Sequence, residues 1–293
     1  MQHYLLYFVA LFGLSQSANL VKLAQAPLEM IGFWRLLLSA LFMLPLALRK
    51  DDLKNLLQNP QLMKWTGISG LFFFLHLWTF FYASQNTSIA NCMIIFSINP
   101  LFTAIGARLV FKEKIAPRLI LAYVFAFLGI YLLVKQSLAF DKGFVLGDLS
   151  ALVSGILVSV YIIAGKRVRH EVSNTSFSTL LYTITGILFL GLAIAHDTPL
   201  WSDNSTTWLA ILGLVILPTF LGHSLFLYLV KYMNINLMTC GKLIEPVMSS
   251  AIAYWLFAEA INANTVWAFL ATSVSLVILF GPDIKKIIFK AKH

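Results

Sequence analysis

The sequence predicts an all-α polytopic membrane protein with ten transmembrane helices, arranged as two inverted five-helix repeats. Hydrophobic residues make up 59% of the 293 positions and charged residues only 11%, which leaves too little polar surface for a soluble globule of this size. Ten apolar stretches are long enough to cross about 30 Å of hydrocarbon. In addition, one pattern of residues occurs twice, about half the chain length apart.

The ten predicted spans are bounded by polar clusters and joined by short loops. They are approximately Tyr4 to Lys22, Leu28 to Leu48, Lys64 to Ser84, Ile89 to Phe111, Leu119 to Lys135, Leu146 to Gly165, Phe177 to Ala195, Thr207 to Val230, Asn236 to Ala258 and Ala263 to Gly281. Five spans in each half would insert the second half with the opposite orientation, so the repeat is predicted to be inverted. We place the two halves at residues 1–140 and 141–293.

The repeated pattern is Ile-x-Pro, ten residues and then Phe-x-Glu-x-Ile. Its two copies are Ile98, Pro100, Phe111, Glu113 and Ile115, and then Ile244, Pro246, Phe257, Glu259 and Ile261. Pro and Glu are costly within apolar helices. Their recurrence in one register therefore indicates two related halves that pack around a shared centre.

The net charge of +9 does not indicate a nucleic-acid-binding protein, because the basic residues follow the predicted topology. With a cytoplasmic N-terminus, nearly all Lys and Arg residues at the ends of the spans or between them lie on the cytoplasmic side; the exceptions are Lys22, Lys135 and Lys142. This positive-inside bias predicts that both termini are cytoplasmic.

The tripeptide Ala24-Gln25-Ala26 is similar to a signal-peptidase site, but the residues before the first span lack Lys or Arg. Removing that span would also break the count of five and five, so we interpret it as part of the mature protein. Cys92 and Cys240 fall within apolar spans, where a thiol behaves as a small hydrophobe. The sequence predicts no metal, cofactor or catalytic residue.

The chain resembles the EamA-type branch of the drug/metabolite transporter superfamily, whose members are ten-helix transporters. The resemblance depends on Pro100 with Glu113, Pro246 with Glu259, the Phe33-Trp34-Arg35 run and Leu44-Pro45-Leu46. It covers essentially the whole chain, and its specificity comes from the joint spacing of these short motifs.

The resemblance implies a secondary transporter, not an enzyme, that moves small organic metabolites such as amino acids, commonly outward, by alternating access to a central cavity. It implies a multi-pass protein of the prokaryotic plasma (inner) membrane, whose partners are the lipid bilayer, the solute and, as candidates for coupling, protons. The sequence does not predict the oligomeric state. The alternative function is a channel or receptor-like protein without carrier activity.

Lys242 and Glu245 are the leading candidates for the transport site. Both are ionisable residues within a predicted span, where charge is expensive, and their spacing places them on one helix face. They belong to a stripe of polar and small residues that includes Thr239, Ser249 and Ala253. Such a stripe predicts a cavity wall, and Glu245 is also a candidate for proton coupling. The alternative is a Lys–Glu pair that neutralises itself so that the helix can insert.

Other polar or aromatic residues within spans are candidates for binding the solute: Asn99, His76, Tyr82, Gln16 and His223. Asn99 occupies the position in the first copy of the pattern that Glu245 occupies in the second. For Asn99 the alternative is an interhelical hydrogen bond, and for each histidine a packing role within the bundle. Arg35 lies about seven residues from the outer end of its span, roughly 10 Å. It is predicted to reach the interface or to brace loops and carbonyls, with a role in binding the substrate as the alternative.

Pro100 and Pro246 are predicted to kink their helices, because each removes a backbone donor in mid-span. Glu113 and Glu259 follow them at opposite faces of the membrane in the inverted arrangement. We interpret these two glutamates as gate or helix-end residues.

Overall fold

A computed structural model describes residues 2–97, 99–112, 117–137, 142–235, 238, 241–259 and 263–290, and its regular elements there are all helices. The α-helices are α1 Gln2–Ser15, α2 Ser17–Ala24, α3 Leu28–Leu48, α4 Asp52–Gln58, α5 Pro60–Asn86, α6 Ile89–Phe96, α7 Asn99–Phe111, α8 Pro117–Ser137, α9 Lys142–Arg169, α10 Asn174–Ala195, α11 Ser205–Leu214, α12 Leu225–Leu229, α13 Glu245–Phe257 and α14 Ala263–Lys290. A π-helix at Val215–Ser224 joins α11 to α12, and a 3₁₀ turn at Lys242–Ile244 precedes α13.

Within these ranges, seven helical segments are long and apolar enough to cross a membrane. They are Gln2–Ala24, Leu28–Leu48, Pro60–Asn86, Ile89–Phe111, Phe144–Arg169, Asn174–Ala195 and Ser205–Leu229. Helices α8, α13 and α14 lie where the other three spans are predicted. The multi-pass helical architecture is therefore confirmed, whereas the count of ten crossings and the inverted repeat stay predictions.

The outside of the bundle is apolar, as a lipid-facing surface must be. Large hydrophobic side chains such as Phe42, Ile187 and Ile194 are 62%, 62% and 73% exposed. The interior is filled by aromatic and aliphatic residues where α5 packs along α9 and α10 packs along α3.

Two predicted spans are each divided into two helices. The first span turns at Gln16, between α1 and α2, and the fourth is interrupted between Phe96 and Asn99. The second interruption has a clear cause. Pro100 has no N–H to donate to the carbonyl of Phe96, and the Asn99 side chain donates to that carbonyl instead, with Nδ2 3.0 Å from the oxygen.

The π-helix has a similar origin. Pro218 lies inside it and cannot donate to the carbonyl of Leu214; the hydroxyl of Thr219 donates to this carbonyl at 2.7 Å. Helix α1 packs closely on the widened helix, because a Cβ on Gly13 would lie 2.5 Å from the Leu217 carbonyl oxygen. The glycine at position 13 thus permits a backbone contact that brings α1 and the π-helix together beside the central cavity.

Candidate functional site

A small cavity lies in the interior of the bundle, where the interrupted helices meet. Its volume is about 20 Å³, room for about one water molecule. Its walls come from α1, α2, α5, α6, the π-helix, the 3₁₀ turn and α13. The lining residues are Leu14, Ser17, His76, Phe80, Phe96, His223, Lys242 and Glu245.

Lys242 and Glu245 both face this cavity and are each only 3% exposed. The Lys242 Nζ lies 5.1 Å from the centre of the Phe96 ring and 5.7 Å from that of Phe226, within the range of cation–π attraction. The Glu245 Oε1 has no hydrogen-bond partner in the described part of the chain. The lysine is thus stabilised by aromatic rings, and one carboxylate oxygen is available to a ligand.

Part of the predicted polar stripe on this helix serves packing. Asn19 of α2 donates from Nδ2 to the carbonyl oxygen of Ser249 at 3.0 Å and lies 3.2 Å from its hydroxyl. This contact joins the first predicted span to the ninth. Ala253 is buried, and Thr239 lies outside the described residues.

His76 and His223 face the cavity from α5 and the π-helix, with ring centres 6.1 Å apart. The Nδ1 of His76 lies 2.7 Å from the Ser154 hydroxyl, and its ring stacks on Phe96 at 5.4 Å. The His223 ring meets Phe73 edge-on at 4.9 Å. Both histidines are packed by neighbouring residues and also line the cavity, and their role in binding the solute stays a prediction.

Asn99, Tyr82 and Gln16 do not line this cavity. Asn99 is fully buried, and its side-chain Nδ2 donates to the Phe96 carbonyl oxygen. Its backbone carbonyl oxygen accepts from the Ser159 hydroxyl at 2.9 Å. Gln16 donates to the Ser15 hydroxyl at 2.8 Å, within its own turn. Tyr82 is half-buried away from the cavity. Local hydrogen bonding accounts for the positions of Asn99 and Gln16.

Arg35 is a residue whose place the sequence interpretation missed. Its side chain is fully buried and does not reach the interface. Its Nε donates to the Thr219 hydroxyl at 2.8 Å, and its Nη1 donates to the Ser17 hydroxyl at 3.4 Å. Since Ser17 lines the cavity, Arg35 lies directly behind the cavity wall. The sequence feature that could have indicated this position is a charged residue inside an apolar span, since such residues usually face the bundle interior.

An ion pair joins two helix ends at the end of the bundle that holds residues 25–27. The Lys22 Nζ lies 2.5 Å from Oε1 of Glu259, whose Oε2 accepts a hydrogen bond from the Ile89 N–H at 3.0 Å. Lys22 also lies over the Phe257 ring at 5.4 Å. Glu259 therefore connects the first, fourth and ninth predicted spans.

A related contact lies at the end of α7 and α9. The Nζ of Lys166 is 5.0 Å from the centre of the Phe111 ring. Phe111 occupies the position in the first copy of the repeated pattern that Phe257 occupies in the second. Glu113, the predicted counterpart of Glu259, lies outside the described residues.

The EamA-like transporter family model matches residues 2–135 and again residues 145–281. A relative from Bacillus subtilis, the uncharacterized transporter YyaM, is 28% identical over 197 residues, which are 65% of this chain and 64% of that protein. The match therefore spans a little less than two thirds of that relative. An uncharacterized transporter of Archaeoglobus fulgidus is 25% identical over 66% of this chain and 67% of its own.

An uncharacterized transporter of Clostridium kluyveri is 20% identical over 86% of this chain and 84% of its own. A crystal structure of a protein with 19% sequence identity superposes with a TM-score of 0.75 over 94% of this chain and 96% of that one. That likeness shows a shared fold. With the family model matched over both parts of the sequence, the chain belongs to the EamA-like transporter family of the drug/metabolite transporter superfamily.

Proposed function

We propose that this protein is a secondary transporter that exports small organic metabolites such as amino acids by alternating access between two inverted halves, residues 1–140 and 141–293. It spans the prokaryotic plasma membrane with both termini in the cytoplasm. The observation that carries the proposal is a small interior cavity lined by two buried ionisable residues, Glu245 and Lys242. Charged groups at this depth are costly and are retained for function.

The size of the cavity favours a carrier over a channel. Its volume of about 20 Å³ is much too small for an amino acid, so helices must move apart before a solute can enter. A channel would need a continuous path, whereas a carrier passes through an occluded state.

The contacts at the two ends supply a closing mechanism. Lys22, Phe257 and Glu259 hold one end shut, and Lys166 and Phe111 form a contact of the same residue types at another helix end. In the proposed inverted arrangement these ends face opposite sides of the membrane. Breaking one contact while keeping the other would expose the cavity to one side at a time.

The interrupted helices supply the means of movement. Broken helices commonly line the solute sites of transporters, and here the breaks at Pro100 and Pro246 adjoin Phe96, Lys242 and Glu245. Pro100 and Pro246 each occupy the second position of a helix, α7 and α13. In this proposal the segments on either side of each proline change their mutual angle. Protons are candidates for coupling, since Glu245 can accept one inside the cavity.

Counterflow in proteoliposomes tests this proposal. Vesicles containing the full-length protein are loaded with an unlabelled amino acid and exposed to a trace of the same labelled compound, over a panel of amino acids. A carrier accumulates label above equilibrium by exchange, and we expect this overshoot for at least one solute. Simple equilibration of label without overshoot would identify a channel and contradict the proposal.

A further inference from the structure

We propose that the central cavity binds its solute through an anionic group, a carboxylate or a phosphate, held by Arg35 and Tyr161, and that the preferred solutes carry net negative charge. This inference rests on the proposed transport function and names the chemical class of its solute.

Arg35 supplies a permanent positive charge that has no carboxylate partner among the residues that the structure describes. A guanidinium stays protonated in proteins, and this one is fully buried. Its contacts are the neutral hydroxyls of Thr219 and Ser17 and the Phe81 ring, 5.7 Å away. Its Nη2 has no hydrogen-bond partner in the described part of the chain.

Tyr161 of α9 supplies a second unused donor in the same region. Its side chain is 1% exposed, and its hydroxyl has no hydrogen-bond partner among the described residues. The Tyr161 ring packs on Phe73 at 4.5 Å, and the Phe73 ring lies 6.2 Å from that of Tyr182. The Tyr182 hydroxyl donates to Thr219, the residue whose hydroxyl Arg35 contacts. Buried donors are normally satisfied, so two neighbouring donors without acceptors indicate a site for a shared acceptor from outside the chain.

Both residues adjoin the cavity. Arg35 is hydrogen-bonded to Ser17, and the Tyr161 ring centre lies 5.9 Å from that of His223; Ser17 and His223 are both lining residues. An anionic group entering between Ser17 and His223 would meet both donors. Water could satisfy one N–H, but only an anion also compensates the buried charge.

The balance of charge gives the preferred net charge of the solute. Arg35 and Lys242 contribute two positive charges near the cavity, against one negative charge from Glu245. Other carboxylates of the described spans are engaged at helix ends, Glu29 with His196, Glu259 with Lys22 and Asp148 with the Thr87 hydroxyl. The interior therefore has an excess of one positive charge when Glu245 is ionised, which a monoanionic solute neutralises.

Ligand-induced thermal stabilisation of the purified full-length protein tests the inference. The probes are glutamate, its neutral amide glutamine, the cation lysine and glycerol phosphate. We expect glutamate or glycerol phosphate to raise the melting temperature at concentrations where glutamine and lysine do not. A response to glutamate alone identifies a carboxylate site, and a response to glycerol phosphate alone identifies a phosphate site. Equal stabilisation by glutamate and glutamine, or by none of the four, overturns the inference.

Tyr161→Phe is the informative variant, because it keeps the ring packing and removes only the unused hydroxyl. We expect the dissociation constant of the stabilising anion to rise roughly 10-fold, the effect of losing a hydrogen bond to a charged group, with an unchanged melting temperature for the unliganded protein. Tyr182→Phe is the control, since the Tyr182 hydroxyl already donates to the Thr219 carbonyl at 3.4 Å. Equal affinity in wild type and Tyr161→Phe contradicts the inference.

Counterflow separates this inference from the proposed function. Overshoot with neutral amino acids but not with anions would leave the transporter proposal standing and overturn the anion site. Anion binding that depends on Tyr161, without counterflow of any solute, would support the site and overturn the transport proposal.

Discussion

The two copies of the repeated pattern break their helices at the same place but repair the break differently. In the first copy, Pro100 leaves the Phe96 carbonyl without its helical donor, and the Asn99 amide supplies one. In the second copy, Pro246 leaves the Lys242 carbonyl without its helical donor. Here the chain forms a 3₁₀ turn, and the Glu245 backbone N–H donates to the Lys242 carbonyl.

The consequence lies in the two side chains that hold equivalent positions. The Asn99 Nδ2 donates to the backbone at Phe96, and Asn99 does not line the cavity, whereas Glu245 lines the cavity beside Lys242. The duplicated break is thus repaired by a side chain in one copy and by the backbone in the other. This difference predicts that substitutions at these two positions have different kinds of effect.

The largest effect is expected at Glu245. Glu245→Gln keeps the shape of the side chain and removes its charge, which changes both the charge balance of the cavity and any proton acceptor there. We expect counterflow to fall roughly 100-fold, a loss typical for a buried charged contact of the transported ligand, with the variant still folded in detergent. An unchanged rate with an unchanged pH dependence would show that Glu245 is not part of the transport site.

At Asn99 we expect a loss of stability instead. Asn99→Ala leaves the buried Phe96 carbonyl without a donor, at a cost of about 1–3 kcal/mol, and a correspondingly lower melting temperature. Counterflow by the protein that remains folded should stay within about 3-fold of wild type, since Asn99 does not line the cavity. Thermal unfolding and counterflow on the same preparation measure both effects. A folded variant without transport would contradict the comparison.

Glu259 tests whether the contacts at the helix ends control access. Glu259→Gln removes the ion pair with Lys22, which is partly exposed and so is worth about 1 kcal/mol. This corresponds to roughly a 5-fold shift in population toward the state open at that end. Labelling of a cysteine placed at Ser17 by an impermeant thiol reagent, added from that side, should speed up by about this factor. Slower labelling would mean that the ion pair does not hold this end closed.

The smallest effect is expected at Asp52, outside the membrane. Burial raises the pKa of Asp52. Hydrogen bonds from Ser176 and Ser173, with a smaller contribution from the Lys50 charge, together lower the pKa by more than burial raises it, so that it lies below the ordinary value of 3.8. Its carboxylate accepts from the Ser173 N–H and the Ser176 hydroxyl at 2.5 and 2.6 Å, at the start of α10.

Because the pKa of this carboxyl is lower in the folded state, its ionised form stabilises the folded protein above pH 3.8. This stabilisation is lost as the pH falls through the lowered pKa. Asp52→Asn should therefore lower the melting temperature at pH 7 by a few degrees at most, and the melting temperatures of the two proteins should converge as the pH falls through the lowered pKa. The pH profile of counterflow should not change. A changed profile would place the control of transport outside the cavity.

The apolar spans and the repeated pattern were predictable because length, hydropathy and the cost of Pro and Glu are visible in the sequence. Lys242, Glu245, His76 and His223 were identifiable for the same reason: ionisable groups inside the membrane are rare. The contact of Asn99 was not identifiable from the sequence, because backbone geometry decides whether its amide binds a solute or a backbone carbonyl without a helical donor.

Other features depend on three-dimensional contacts. The π-helix arises from Pro218 together with a hydroxyl at Thr219 that can reach the Leu214 carbonyl. Tyr161 shows no signal in the sequence, because a tyrosine in an apolar helix usually packs like any other aromatic residue. The burial of Arg35 follows from its packing against the π-helix and α2.

The central claim is that the cavity around Ser17, His223, Lys242 and Glu245 opens to one side of the membrane at a time. The most direct test is to place a cysteine at Ser17, with Cys92 and Cys240 replaced by alanine, and to label it in oriented proteoliposomes with an impermeant thiol reagent from either side. The account predicts labelling from both sides, with Glu259→Gln raising the rate on one side and lowering it on the other. Rates that rise together on both sides, or no labelling from either side, would contradict it.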